Sequence, residues 1–153
     1  MIIINKRNLF FLISVWLLST LLSAQNVTIS TPHTQLLLSV PNGGTPEQLY
    51  YGSRTSDADI RSICETARRR NAYPVYGMGY PCETALSVRH ADGNLTLQMA
   101  VIGVKETRLT KENATLTVIE LKDKVYPFFV NICYKAWQDA DVIETWTEIR
   151  HEE

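Results

Sequence analysis

From residue 25 onward the chain alternates apolar and polar residues with a period of two, and turn residues punctuate it at short intervals. "NVTIST" (26–31) and "TQLLLSV" (34–40) are rich in β-formers. "PNGG" (41–44) is a hairpin-grade turn leading into "EQLYYG" (47–52). Further strands are predicted at "TALSVRH" (84–90), "LTLQMAVIGVKETRL" (95–109), "ATLTVIELKD" (114–123), "VYPFFVNICYKAWQD" (125–139) and "DVIETWTEIRH" (141–151). In the last of these Val142, Glu144, Trp146, Glu148 and Arg150 share one face, and Ile143, Thr145, Thr147 and Ile149 the other. In "TLTVIEL" both faces carry apolar residues, which suits stacked sheets better than one sheet facing water. Short connections make the pairing antiparallel. The expected fold is mainly β, an antiparallel sandwich.

One segment changes period. In "SDADIRSICETARRR" (56–70) Ile60, Ile63, Cys64 and Ala67 recur at helical spacing. Ser56 and Asp59 form a capping-box pattern, Asp57 and Asp59 fill the first turn, and Arg68, Arg69 and Arg70 stand at the negative end of the dipole. A short helix is predicted near 56–70. "YPVYGMGYP" (73–81) then fits neither helix nor plain strand, because prolines remove backbone donors and glycines weaken both. It reads as a rigid re-aiming segment, with Gly77 and Gly79 permitting sharp turns or close approach.

The first residues read differently. Lys6 and Arg7 precede an apolar run from Leu9 to Leu22, followed by Ser23-Ala24-Gln25, the pattern of a secretory signal peptide at about 1–24. The run is shorter than the roughly 20 residues of a membrane span. The expectation is a secreted or periplasmic chain, off the membrane once cleaved, whose domain occupies 25–153. Net charge is −1, and losing Lys6 and Arg7 makes the remainder more acidic, which argues against a nucleic-acid footprint. Cys64, Cys82 and Cys133 allow one disulfide or none, with small buried hydrophobes as the plainer reading. No Cys or His spacing suggests a metal site, and no cofactor motif is evident.

Catalytic constellations are weak. His33, His90 and His151 lie far apart without a nucleophile elbow around any serine, so solvated histidines are expected. Asp139 and Asp141 bracket a turn and read as turn formers rather than a carboxylate pair. The sequons at Asn26, Asn94 and Asn113 read as chance in a Thr-rich β chain. The tyrosines and tryptophans suit either sugar stacking or packing.

Taken in order, "QLYYG" (48–52), the acidic-to-arginine stretch, "YPVYGMGYP", "ETALSV" and "YKAWQDADVIETWTEIRH" (134–151) resemble the N-terminal β-domain of glycoside hydrolase family 36, the α-galactosidases, over roughly residues 27–151. The resemblance implies a partial β-supersandwich that precedes a catalytic (β/α)₈ barrel. Hydrolysis of terminal α-galactosides by a retaining mechanism would then use two barrel aspartates that this chain does not contain. It implies that the chain is C-terminally incomplete as a domain and inactive alone. The implied partners are the barrel, neighbouring subunits and, through the full-length enzyme, an α-galactoside. Asp57, Asp59 and one of Arg68, Arg69 and Arg70 are implied to reach an adjacent subunit's active site. Tyr73, Tyr76 and Tyr80 are implied interface aromatics against the barrel. A free-standing carbohydrate-binding sandwich is the alternative.

Overall fold

The computed structural model describes residues 25–152; the signal peptide expected at 1–24 lies outside them. Two four-stranded antiparallel sheets form the domain. Sheet I runs β1 (Gln25–Ser30), β2 (Thr34–Val40), β3 (Glu47–Ser53) and β4 (Arg70–Asn71), in that spatial order. Sheet II runs β5 (Met99–Leu109), β6 (Ala114–Asp123), β7 (Phe128–Trp137) and β8 (Val142–His151). Among the described residues one α-helix, α1 (Asp57–Thr66), interrupts sheet I between β3 and β4. The mainly β sandwich expected from the alternation is the fold found.

The period-two pattern explains the layering. Val27 and Ile29 of β1 and Leu36, Leu38 and Val40 of β2 project into one continuous core with Ile119, Leu121, Val130 and Ile132 of sheet II. Burying each such side chain is worth about 1.5–3 kcal/mol, which is what holds the two sheets face to face. The sheets are also stitched through backbone. The β2–β3 turn donates Gly43 N–H to Val101 O at 3.0 Å and accepts Val101 N–H on Gly44 O at 2.8 Å. Val101 borders the bulge of β5, where the register against β6 slips by one residue. At the other end the Asp141 carboxylate accepts from the Thr31 hydroxyl and from His33 N–H at 3.1 Å, bolting the β1–β2 turn to the β7–β8 turn.

β2 is buried on both faces. Leu37 is fully buried yet stands outside the main core, on the outward side of sheet I. The chain crosses that side between Thr55, whose N–H donates to Gln35 Oε1 at 3.0 Å, and Arg69, which donates to Ser39 Oγ at 3.2 Å. Residues 55–69 therefore cross the outward side of sheet I, with Ile60, Ile63 and Cys64 of the helix and Ala67 just past its end half-buried.

Two expectations are corrected. The helix ends at Thr66 rather than Arg70, because Ala67 is already extended and Arg70-Asn71 return to pair with Gln48 and Glu47. The arginines therefore follow the helix instead of sitting in its last turn. The strand predicted at 84–90 does not join a sheet. Thr84, Leu86, Val88 and His90 do alternate inward, but their backbone partners lie in the tyrosine-rich segment: Tyr76 N–H donates to Leu86 O at 3.1 Å and Ala85 N–H to Pro74 O at 2.8 Å. The outcome is a lone parallel bridge, Val75 to Leu86. Alternation reports which way side chains face, not whether a ladder partner exists.

Gly77 and Gly79 both take positive φ, +98° and +73°. A Cβ on Gly77 would meet Thr96 Cγ2 at 2.4 Å, so both the turning and the close approach expected of this segment are present there.

Candidate functional site

The residues singled out for sugar contact flank α1. Ser56 caps the helix: its hydroxyl accepts from Asp59 N–H at 3.3 Å, and Asp59 Oδ2 accepts from Ser56 N–H at 3.4 Å. Asp59 is thus committed to capping, whereas the Asp57 carboxylate makes no hydrogen bond among the described residues. At the far end Arg69 is anchored by Glu47 Oε2 at 2.9 Å and by Ser39. Arg68 and Arg70 are exposed and unpaired among the described residues. A ten-residue helix rises about 15 Å, so acids and arginines stand at opposite ends of it. Either set could contact a ligand separately.

The aromatics also divide. Tyr73 is 9% exposed and packs into the domain's own core, whereas Tyr76 and Tyr80 remain 49% and 42% exposed. Asn71 Oδ1 accepts the Tyr73 backbone N–H at 3.0 Å, and the Tyr73 side chain belongs to the domain's own core while also lining the cleft beside β8.

Openings lie between the sheets on both sides of the sandwich. Beside β8 lies a cleft of about 490 Å³ with a floor of Leu36, Tyr73, Ile132 and Ile143 and a rim of Gln48, Tyr51 and Thr147. Tyr134 lines it, and burial pushes its phenol up to about 12. By register, Ile143, Thr145, Thr147 and Ile149 stand opposite core residues of β7 and so face the same side, yet sheet I does not cover them. β8 is also an edge strand, hydrogen-bonded only to β7. Beside β1 lies a smaller cavity of about 210 Å³ with a polar lining, including Arg54, Glu106, Arg108 and Thr117. Sequence reading missed this second opening. Its one signal was the spacing of Glu106 and Arg108, which puts them on a shared face.

The histidines do not converge. His33 and His151 are exposed, but His90 is buried, against expectation, and stacks on Tyr126 with ring centroids 3.6 Å apart. Asp92 accepts from the Tyr126 hydroxyl at 2.7 Å and from Asn94 N–H at 2.9 Å, bonds that hold its carboxyl below the usual range. Asp139 and Asp141 act as turn residues. Asp141 takes φ +52°, and the Thr31 hydroxyl, then His33 N–H, lowers its pKa. All three cysteines are free; Cys133 is buried and Cys64 half-buried, but Cys82 is exposed and is no buried hydrophobe. Among the described residues no group of His, Cys, Asp or Glu could hold a metal, and no helix is long and apolar enough to cross a membrane.

Fold and site together define an antiparallel β-sandwich domain with polar surface candidates and, among the described residues, no assembled catalytic group. The chain belongs to the glycosyl hydrolase family 36 N-terminal domain family, whose model matches residues 44–153. Solved structures share the fold. The α-galactosidase from Lactobacillus brevis aligns with a TM-score of 0.70 at 16% identity, over 82% of this chain and 21% of that one. A variant of the family 36 α-galactosidase AgaA from Geobacillus stearothermophilus, solved with 1-deoxygalactonojirimycin, gives 0.72 at 14% identity, over 83% and 22%. The galactosidase domain of AgaSK, an α-galactosidase–sucrose kinase, gives 0.66 at 22% identity, over 82% and 22%. The chain thus spans about a fifth of the length of these relatives. No curated protein matches it.

Proposed function

We propose that this chain is the non-catalytic N-terminal domain of an exported α-galactosidase, acting by packing against a catalytic (β/α)₈ barrel that performs the retaining hydrolysis. The observation that carries the reading is the uncovered half of sheet II. A family 36 N-terminal sandwich presents a ten-residue edge strand and an apolar-floored cleft on one side. An edge strand of that length is a liability unless another segment pairs with or covers it. Ile149, nearly half exposed on the core-facing side of β8, suits a cover of protein rather than water.

Export rests on Lys6, Arg7 and the apolar run to Leu22. Sugar contact from α1 rests on chemistry alone: Asp57 can accept from sugar hydroxyls, and Arg68 or Arg70 offers a guanidinium fork to a neighbouring subunit. The acid and the arginines stand at opposite ends of the helix, about 15 Å of helical rise apart. Exposed Tyr76 and Tyr80 are the aromatics available to a partner.

Hydrolysis of a chromogenic α-galactoside tests the reading. The chain alone should be inactive, and a separately expressed family 36 catalytic barrel should gain activity when the chain is added. Activity of the chain alone would overturn the assignment, and so would a barrel indifferent to it.

A further inference from the structure

The core-facing side of sheet II changes character along its length. Toward the β5–β6 turn, Glu106 stands opposite Thr117 and Arg108 opposite Thr115, while Thr117 in turn stands opposite the buried Tyr134. The two charged side chains therefore lie on the same face as the core, beyond the part that sheet I covers. The edge strand β1, at Thr28, Ile29 and Ser30, and Arg54 just past β3 line the other side of an open groove of about 210 Å³, in which Arg54, Glu106 and Arg108 remain exposed.

The groups in this cavity keep unused hydrogen-bonding capacity. Arg108 donates to Thr115 Oγ1 at 3.1 Å and Asn113 Oδ1 at 2.9 Å, neutral acceptors that fix the guanidinium plane and leave further N–H groups. The Glu106 carboxylate and the Arg54 guanidinium make no hydrogen bond among the described residues. Thr117, only 1% exposed, lines the cavity, and its hydroxyl likewise has no partner among the described residues. That hydroxyl opens onto the groove without a protein partner and is available to an occupant that can hydrogen-bond to it.

We propose that this cavity binds a single neutral pyranose ring. Its volume equals about seven liquid waters and falls below the roughly 300–1,000 Å³ of drug-sized pockets, so one ring is the scale it admits. The donor and acceptor pattern selects the class. Each sugar hydroxyl both donates and accepts, and the cavity offers two guanidinium forks, one carboxylate and several hydroxyls. A phosphate would meet the Glu106 carboxylate beside the arginines, and a cation would meet both arginines. An apolar ligand would leave the groove's hydroxyl and charged groups without a use. The site uses no residue of α1 and stands apart from the assembly reading above.

Titration of the full 153-residue chain with methyl α-D-galactopyranoside, D-glucose and inorganic phosphate, followed by ligand-observed NMR and by thermal shift, tests the site. Saturable binding of a pyranose is expected, with an increase in Tm. Glu106→Gln should weaken it about tenfold or more, because charge-assisted hydrogen bonds are the strong ones. Thr117→Val should weaken it by a smaller factor, and Lys124→Gln, at the exposed β6–β7 turn, should leave it unchanged. The site is overturned if a chain with a cooperative thermal transition binds no pyranose. Binding that survives Glu106→Gln at full strength, or phosphate displacing the sugar, would overturn it equally. Because the readout is binding, failure here leaves the hydrolysis test untouched, and failure there leaves this one standing.

Discussion

The openings beside β8 and β1 are built from the same two sheets and differ in what lines them. The β8 cleft has an apolar floor and a rim of amide and hydroxyl groups; the β1 groove has guanidinium, carboxylate and hydroxyl groups with little apolar surface. An apolar face left in water is unfavourable by about 25 cal/mol per Å², so it gains from a protein cover. A polar cavity gains nothing from such a cover and is better satisfied by a small hydrogen-bonding ligand. One sandwich thus presents an assembly side and a ligand side, and the difference rests on the side chains rather than on the backbone, which is antiparallel in both sheets.

The comparison can be broken at the floors of the two openings. Ile132 is buried beneath the β8 cleft, and Ile132→Ala should destabilise the domain by about 2–5 kcal/mol through lost transfer free energy and a cavity. Thr117→Val at the β1 cavity should cost less than about 1 kcal/mol, since it removes a hydroxyl with no protein partner while keeping the shape. Urea unfolding of both variants measures the contrast, and equal losses would erase the distinction between floor and lining.

A smaller effect sharpens the β1 side, where Asp141 clasps the turns of the two sheets. Its folded pKa lies below the ordinary carboxylate value, so its contribution is present above that value and is lost as pH falls through it toward the folded pKa. The wild-type chain should therefore lose stability below about pH 4, and Asp141→Asn, which tolerates the positive φ, should flatten that limb. Thermal unfolding across pH 2–7 would show it, and an unchanged acid limb would deny the clasp.

The smallest effect concerns Tyr134. Ultraviolet titration should reveal one tyrosine ionising near 12, absent in Tyr134→Phe. That variant should shift stability by no more than about 0.5 kcal/mol, because no protein partner is lost.

Much of the fold was legible because facing is a local property. β2 falls where its β-formers and flanking turn residues predicted a strand, β6 where "ATLTVIELKD" was read as one, and the Ser56–Asp59 box started the helix as read. What escaped depended on distant partners. The pull of Glu47 and Ser39 on Arg69, with the return of Arg70 to β3, ended the helix early. The hydrogen bonds of Pro74 and Tyr76 took Ala85 and Leu86 away from the sheets. The ligand-side residues were invisible for a related reason. Glu106 and Arg108 share a face by periodicity, but only the packed structure shows that this face is the core-facing one and that sheet I stops short of covering it. For α1 the sequence placed acids and arginines in order, and the helix between them set the separation that ordering alone does not convey.

The central claim, that β8 is the side on which the rest of a family 36 enzyme packs, is tested most directly by amide hydrogen exchange of the chain with and without a separately expressed catalytic barrel. Residues 142–151 are predicted to gain protection on mixing, and Gly103 to Leu109 on the opposite edge of sheet II to stay unchanged. Unaltered exchange along β8, in a mixture that has regained α-galactosidase activity, would contradict the account.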